Sequence, residues 1–152
     1  MELKFRVSTH VSKPVEEVFD AVVDPKKLSG YFTTGGASER IAPGATVTWN
    51  FHDFPGACPV RVREVEENRK IVLNWEASEN GKDAGYDTTV TMTFSPIDDN
   101  ARTLVTITEE GWRETAGGLK ASYINCAGWE QMLCALRVYI EHGINLRDGM
   151  YK

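Results

Sequence analysis

The chain has 152 residues, a formal net charge of −5 and 26% charged residues, which is typical of one soluble globular domain. We therefore expect a single domain over residues 1–152. Basic residues are scattered among acidic ones, which argues against nucleic acid as a partner. No apolar run approaches the roughly 20 residues that a membrane span requires. Residues 1–11 alternate between polar and apolar side chains, so we expect a strand there and not a signal peptide.

The number and spacing of the cysteines indicate the redox state of the cellular compartment. Cys58, Cys126 and Cys134 form no CxxC motif and cannot all pair with one another. Free thiols are typical of a reducing compartment. We therefore predict a cytoplasmic protein.

The first part of the chain predicts a strand followed by two short helices. Residues 2–11 alternate in the way that is typical of a strand with one buried face. The segment "SKPVEEVFDAV", residues 12–22, has a proline at the helix start and apolar side chains at helical spacing. "DPKKLSGYF", residues 24–32, starts a second short helix with an Asp cap and a proline at its first position.

Between residues 45 and 110 the apolar side chains recur with a period of two. Threonines and asparagine occupy much of the opposite face, which is typical of an antiparallel sheet with one side in water. Turn motifs divide the segment into about six strands. Asn80-Gly81 lies in a connection that we interpret as too long for a tight hairpin, so we expect a mobile loop at the rim there. The whole pattern predicts an α+β fold: a curved antiparallel sheet of about six or seven strands, covered by helices.

A long helix follows over roughly residues 119–142, and its inward face changes character along its length. Near its start this face carries Ser122, Asn125 and Cys126, whereas its second half is apolar. A buried amide or hydroxyl without a partner costs about 1–3 kcal/mol. We therefore predict that the first half of the helix lines a cavity, with Trp129 at its boundary. The alternative is that Ser122 and Asn125 bond to neighbouring backbone near the helix start.

Large rings and small polar groups facing one space are typical of a small-molecule pocket. The candidate ligand-binding residues are Trp49, Phe51, Trp75, Met92, Glu109, Trp112, Ser122, Asn125, Cys126, Trp129 and Met132. Glu109 is in phase with the inward residues of the last strand, so it is either a polar anchor or a side chain exposed at the rim. Its place near the strand end favours the rim.

No motif for catalysis or for binding a metal ion or cofactor is present. The histidines His10, His52 and His142 lack the spacing of metal ligands, and no nucleophile elbow or phosphate loop occurs. We therefore predict no cofactor, no metal ion and a binding protein for an apolar small molecule. The alternatives are an enzyme in which Glu109, His52 or Asn125 places a proton, and a chaperone-linked or interaction module.

Three passages resemble a known family. They are "KPVEEVFDAVVDPKKLSGYFT" after the first strand, "ITEEGW" at the end of the last strand and "GWEQMLCALRVYIEHG" in the terminal helix. Together they resemble the START/SRPBCC superfamily and, within it, the group of the activator of heat-shock-protein ATPase. The resemblance implies a helix-grip fold, with the long C-terminal helix packed across the sheet. Members of the superfamily include lipid carriers, hormone receptors and cyclases, so it implies no single activity. Pairing into a homodimer is left open.

Overall fold

The computed structural model describes residues 1–152 as a seven-stranded antiparallel sheet with three helices. The elements are β1 (Lys4–Val11), α1 (Val15–Val23), α2 (Pro25–Leu28), β2 (Gly36–Ala37), β3 (Thr46–Phe51), β4 (Phe54–Glu66), β5 (Lys70–Glu79), β6 (Lys82–Ile97), β7 (Arg102–Glu110) and α3 (Ala116–His142). The predicted α+β helix-grip architecture is confirmed. The last helix begins earlier than residue 119, because the side chain of Thr115 caps it by accepting a hydrogen bond from the backbone N–H of Gly118.

The strand order in the sheet is β1-β7-β6-β5-β4-β3-β2, so β1 pairs with β7, the last strand. Inward side chains of β3 to β7 and the apolar faces of α1 and α3 form one main core. In the second half of α3 the core residues Met132, Leu133 and Leu136 are all buried. The apolar end of the helix therefore packs against the sheet, as its spacing predicts.

The connection at Asn80-Gly81 corrects one prediction. β5 ends at Glu79 and β6 begins at Lys82, and these two residues face each other across the ladder. Asn80 and Gly81 both have positive φ angles, of 54° and 75°, as a tight hairpin turn requires. The expectation that this connection is too long for a tight hairpin is wrong. The strand ends beside the turn are polar and lack the alternation that indicates a strand.

After α3, residues 143–152 turn back onto the β3–β4 connection. Arg147 is almost fully buried and donates two hydrogen bonds to the carboxylate of Asp53, at 2.7 and 2.6 Å. This guanidinium also lies 5.8 Å from the ring centre of Phe51 and 4.6 Å from that of Tyr151. Arg147 holds the pKa of Asp53 below its ordinary value through the hydrogen bonds and its charge. The bidentate ion pair between Arg147 and Asp53 thus holds the tail against the β3–β4 connection, with the guanidinium beside the ring of Phe51.

We expect Asp53→Asn to lower the free energy of unfolding by about 2 kcal/mol, because the buried guanidinium loses its charged partner. Urea denaturation measures this loss, and hydrogen exchange should show reduced protection over residues 143–152. Glu66→Gln is the control, since Glu66 forms an exposed pair with Arg69. That pair is expected to contribute less than about 0.5 kcal/mol. Equal losses in the two variants would contradict the importance of the tail contact.

Candidate functional site

The carboxylate of Glu109, on β7, is the centre of a buried hydrogen-bond cluster. Its Oε2 accepts from Trp75 Nε1 at 2.9 Å and from Thr88 Oγ1 at 2.6 Å. Its Oε1 accepts from Trp129 Nε1 at 2.8 Å, and Asn125 Nδ2 donates at 3.1 Å to Oε1 and 3.3 Å to Oε2. We call these five residues the Glu109 cluster. Glu109 is 0% exposed, so the interpretation that placed it at an exposed rim is wrong.

Strand register and helical spacing bring the cluster together. Trp75 on β5 lies opposite Thr88 on β6, and Glu109 lies opposite Val90, two positions further along the same face of β6. Asn125 and Trp129 are four residues apart on α3 and therefore project from one face of the helix. Donors from two strands and one helix thus converge on one carboxylate.

Burial makes the Glu109 carboxylate unusual. Desolvation raises the pKa of Glu109 above its ordinary value of 4.5, whereas its hydrogen bonds act in the opposite direction. All of its hydrogen-bond partners are neutral, and it forms no ion pair with Lys, Arg or His. Two carboxylate oxygens offer about four lone-pair positions, and four donor groups fill them. The oxygens of Glu109 are therefore fully engaged within the protein.

Aromatic rings surround the cluster. The ring centre of Trp129 lies 5.5 Å from that of Trp75 and 5.4 Å from that of Phe32. Phe32 contacts Phe51 at 5.2 Å. Trp49 meets Phe32 and Trp75 almost at right angles, and its buried Nε1 has no hydrogen-bond acceptor. Phe32 was not among the predicted site residues, because it follows α2 in a loop where no periodic pattern reveals an inward position.

Other predicted site residues have packing roles. Met92 and Met132 are buried in the main core and leave no surface for a ligand. The Ser122 hydroxyl donates to the backbone oxygen of Leu119 at 2.7 Å, which is the local bonding that the alternative interpretation described. Trp112 belongs to a second small cluster, apart from the main core. Ser122 and Trp112 therefore do not join the Glu109 cluster, whereas Met92 and Met132 share the main core with Trp129.

Of the eight hollows in the surface, the two best formed are open to solvent, and no residue of α3 lines either of them. The larger, of about 570 Å³, includes Trp112 and Gly111, and the other, of about 290 Å³, includes Arg40 and Asn68. The amide of Asn125 has its partner in Glu109, so its position does not by itself require a cavity.

An accessible part of the site remains beside the cluster. Phe51, Trp75, Asn125 and Cys126 are each half-buried. Phe51, Trp75 and Asn125 are connected through the aromatic contacts and the Glu109 cluster, and Cys126 follows Asn125 on α3. We call these four side chains the rim. The rim is where these four predicted ligand-binding residues reach solvent.

Solved structures share this arrangement of sheet and helix and define the class of the chain as a helix-grip protein. Protein SSP2350 from Staphylococcus saprophyticus is 28% identical over 95% of this chain and 96% of its own, with a TM-score of 0.76. DynU16, a putative protein in the dynemicin biosynthetic locus, is 24% identical over 94% of this chain and 49% of its own, with a TM-score of 0.78. The Aha1 dimer from Colwellia psychrerythraea is 18% identical over 92% of this chain and 97% of its own, with a TM-score of 0.72.

Residues 12–141 match the family model for Activator of Hsp90 ATPase homolog 1-like protein, and the chain belongs to this family. The resemblance carried by the three sequence passages is thus confirmed. No curated protein is significantly similar to the chain in sequence. None of the helices is both long and apolar enough to cross a membrane.

We expect Glu109→Gln to lower the free energy of unfolding by about 2–4 kcal/mol, because a carboxamide brings two N–H donors to a site already lined by donors. At least one of the buried indole or hydroxyl donors then lacks an acceptor. Chemical denaturation measures the loss. Glu130→Gln removes the same charge from an exposed position on α3 and should change stability by less than about 0.5 kcal/mol. Similar stabilities of the two variants would contradict the bonding described for Glu109.

The raised pKa of Glu109 also predicts a dependence of stability on pH. The folded state binds the Glu109 proton more tightly than the unfolded state. The contribution of this proton to the free energy of unfolding is therefore complete below the ordinary pKa of 4.5. It is lost as the pH rises through the higher pKa of the folded state. The chemical shift of the Glu109 carboxyl carbon, followed by NMR as the pH is varied, measures that pKa directly. A midpoint at or below the ordinary value would reverse the predicted sign.

Proposed function

We propose that the protein binds a small, largely apolar or aromatic molecule at the rim beside the Glu109 cluster. The observation that carries the proposal is the half-buried ring of Trp75, which is held in place by its hydrogen bond to Glu109. An exposed aromatic surface that is already fixed can bind a ligand without paying for its own ordering. The neighbouring amide of Asn125 supplies the polar group that orients a ligand.

The second aromatic surface of the rim is also fixed before a ligand arrives. The ring of Phe51 packs edge-on against the ring of Phe32 and also lies near the guanidinium of Arg147. Arg147 is in turn held by Asp53. Phe51 and Trp75 therefore belong to one connected set of rings, and this preorganisation supports binding over a purely structural role.

The family and its helix-grip fold agree with a ligand-binding protein and leave the ligand open.

An enzyme of the same fold is the second candidate, and the raised pKa of the buried Glu109 favours it. The geometry opposes direct catalysis by this group. Its lone pairs are filled by four donors and its side chain does not reach solvent, so a substrate has no free oxygen to contact. Binding without turnover is therefore the function that the arrangement supports best.

The third candidate, an interaction module, concerns the outer side of α3. Tyr123 and Ile124 expose 67% and 59% of their surface there. The similar Aha1 protein from Colwellia psychrerythraea is a dimer. A homodimer stays a prediction for this chain, which sedimentation velocity over a range of concentrations tests.

Phe51→Leu should weaken the binding of an aromatic compound about tenfold, because one ring-to-ring contact contributes about 0.5–1.5 kcal/mol beyond its buried area. A thermal-shift screen of aromatic and apolar compounds would identify the probe, and intrinsic tryptophan fluorescence would give its affinity. Tyr123→Leu is the matched control, since it removes an exposed ring from the outer side of α3. Equal affinities in the two variants would exclude the rim as the binding site, and Asn125→Leu provides an independent check.

A further inference from the structure

Two carboxylates in this fold have fully or almost fully buried side chains, and they differ in one respect. Asp53 is paired with the guanidinium of Arg147, so its charge is matched. Glu109 is surrounded by neutral N–H and O–H groups, and no basic side chain lies within ion-pair distance of it. Neutral donors solvate a carboxylate but leave its net charge in place. The four donors favour the ionised form of Glu109, and in that form the cluster carries an uncompensated negative charge next to the rim.

The amide of Asn125 connects this charge to the accessible surface. Its Nδ2 donates to both oxygens of Glu109, so rotating the amide by 180° would place its oxygen against the carboxylate. The orientation of the amide is therefore fixed. Its Oδ1 accepts no hydrogen bond from the protein and is not among the buried atoms without a partner, so it is accessible to solvent. The rim thus presents an acceptor that still lacks a donor.

The half-buried ring of Trp75 also favours a positively charged ligand. The face of an indole ring is the negative end of its quadrupole and attracts cations, most strongly when water is partly excluded. Trp75 supplies such a half-buried ring directly beside Glu109. Arg147, the cation near Phe51, has its charge matched by the bidentate contact to Asp53. A ring, a fixed acceptor and an unmatched carboxylate all favour positive charge at one place.

We propose that the ligand of the rim is a small aromatic or apolar molecule that carries a protonated amine. The ammonium N–H donates to Asn125 Oδ1, the apolar body lies against Trp75, and Glu109 supplies the opposite charge from behind the amide. The proposal rests on the proposed function and specifies its ligand class. Glu109 acts here as a positioning and electrostatic residue and does not contact the ligand.

Three probes of matched shape test the charge requirement: 2-naphthylmethylamine, 2-naphthylmethanol and 2-naphthoate. They share one ring system and are cationic, neutral and anionic at neutral pH. Isothermal titration calorimetry should give the amine at least tenfold tighter binding than the alcohol, with the carboxylate weakest. Equal binding of amine and alcohol would overturn the ligand class and leave the proposed function standing. Failure of all three probes to bind would contradict both.

Variants then test the residues. Glu109→Gln should reduce the amine-to-alcohol affinity ratio to about one. Glu67→Gln, which removes the same charge from the exposed β4–β5 connection, should keep the ratio of the wild type. Binding of the alcohol serves as the measure of an intact site. If Glu109→Gln fails to fold, Asn125→Leu decides, since it removes the acceptor and should also abolish the preference for the amine. An unchanged ratio in the folded variants would overturn the proposal.

Discussion

The fold depends on one buried carboxylate that joins the sheet to its terminal helix. Glu109 on β7 accepts hydrogen bonds from β5, β6 and α3, so four elements meet at two oxygen atoms. A buried charge is very unfavourable without hydrogen bonds, and buried donors are unfavourable without an acceptor. Each partner is therefore needed by the others. The first half of α3 is held by these polar contacts together with the small apolar cluster around Ala121, whereas its second half is held by apolar packing in the main core.

The same contacts prepare the candidate binding surface. Trp75 and Asn125 each use one polar group to hold the carboxylate and leave another part of the side chain accessible. Stability and the proposed ligand binding therefore share residues, and we expect a substitution in the cluster to change both. Such sharing is common where a site is built on rigid elements and not on loops.

Much of this arrangement could be predicted from the sequence, because it follows from local spacing. The period of two placed Trp49 and Trp75 on the inner face of the sheet, and the helical period placed Asn125 beside Trp129. The burial of Glu109 could not be predicted in this way, because its donors lie 16 to 34 residues away on three other elements. The contact between Arg147 and Asp53 joins positions 94 residues apart and leaves no local signal either.

The pairing of β1 with β7 has a consequence for how the chain reaches this state. Lys4 lies opposite Glu110, so the two ends of the intervening chain must be brought together before the β1–β7 ladder forms. Closing so large a loop carries an entropic cost that only the assembled sheet offsets. Topologies dominated by distant pairings reach their native state slowly, on a scale of roughly milliseconds to seconds. Until that moment the backbone N–H and C=O groups along one edge of β7 lack strand partners and are open to water.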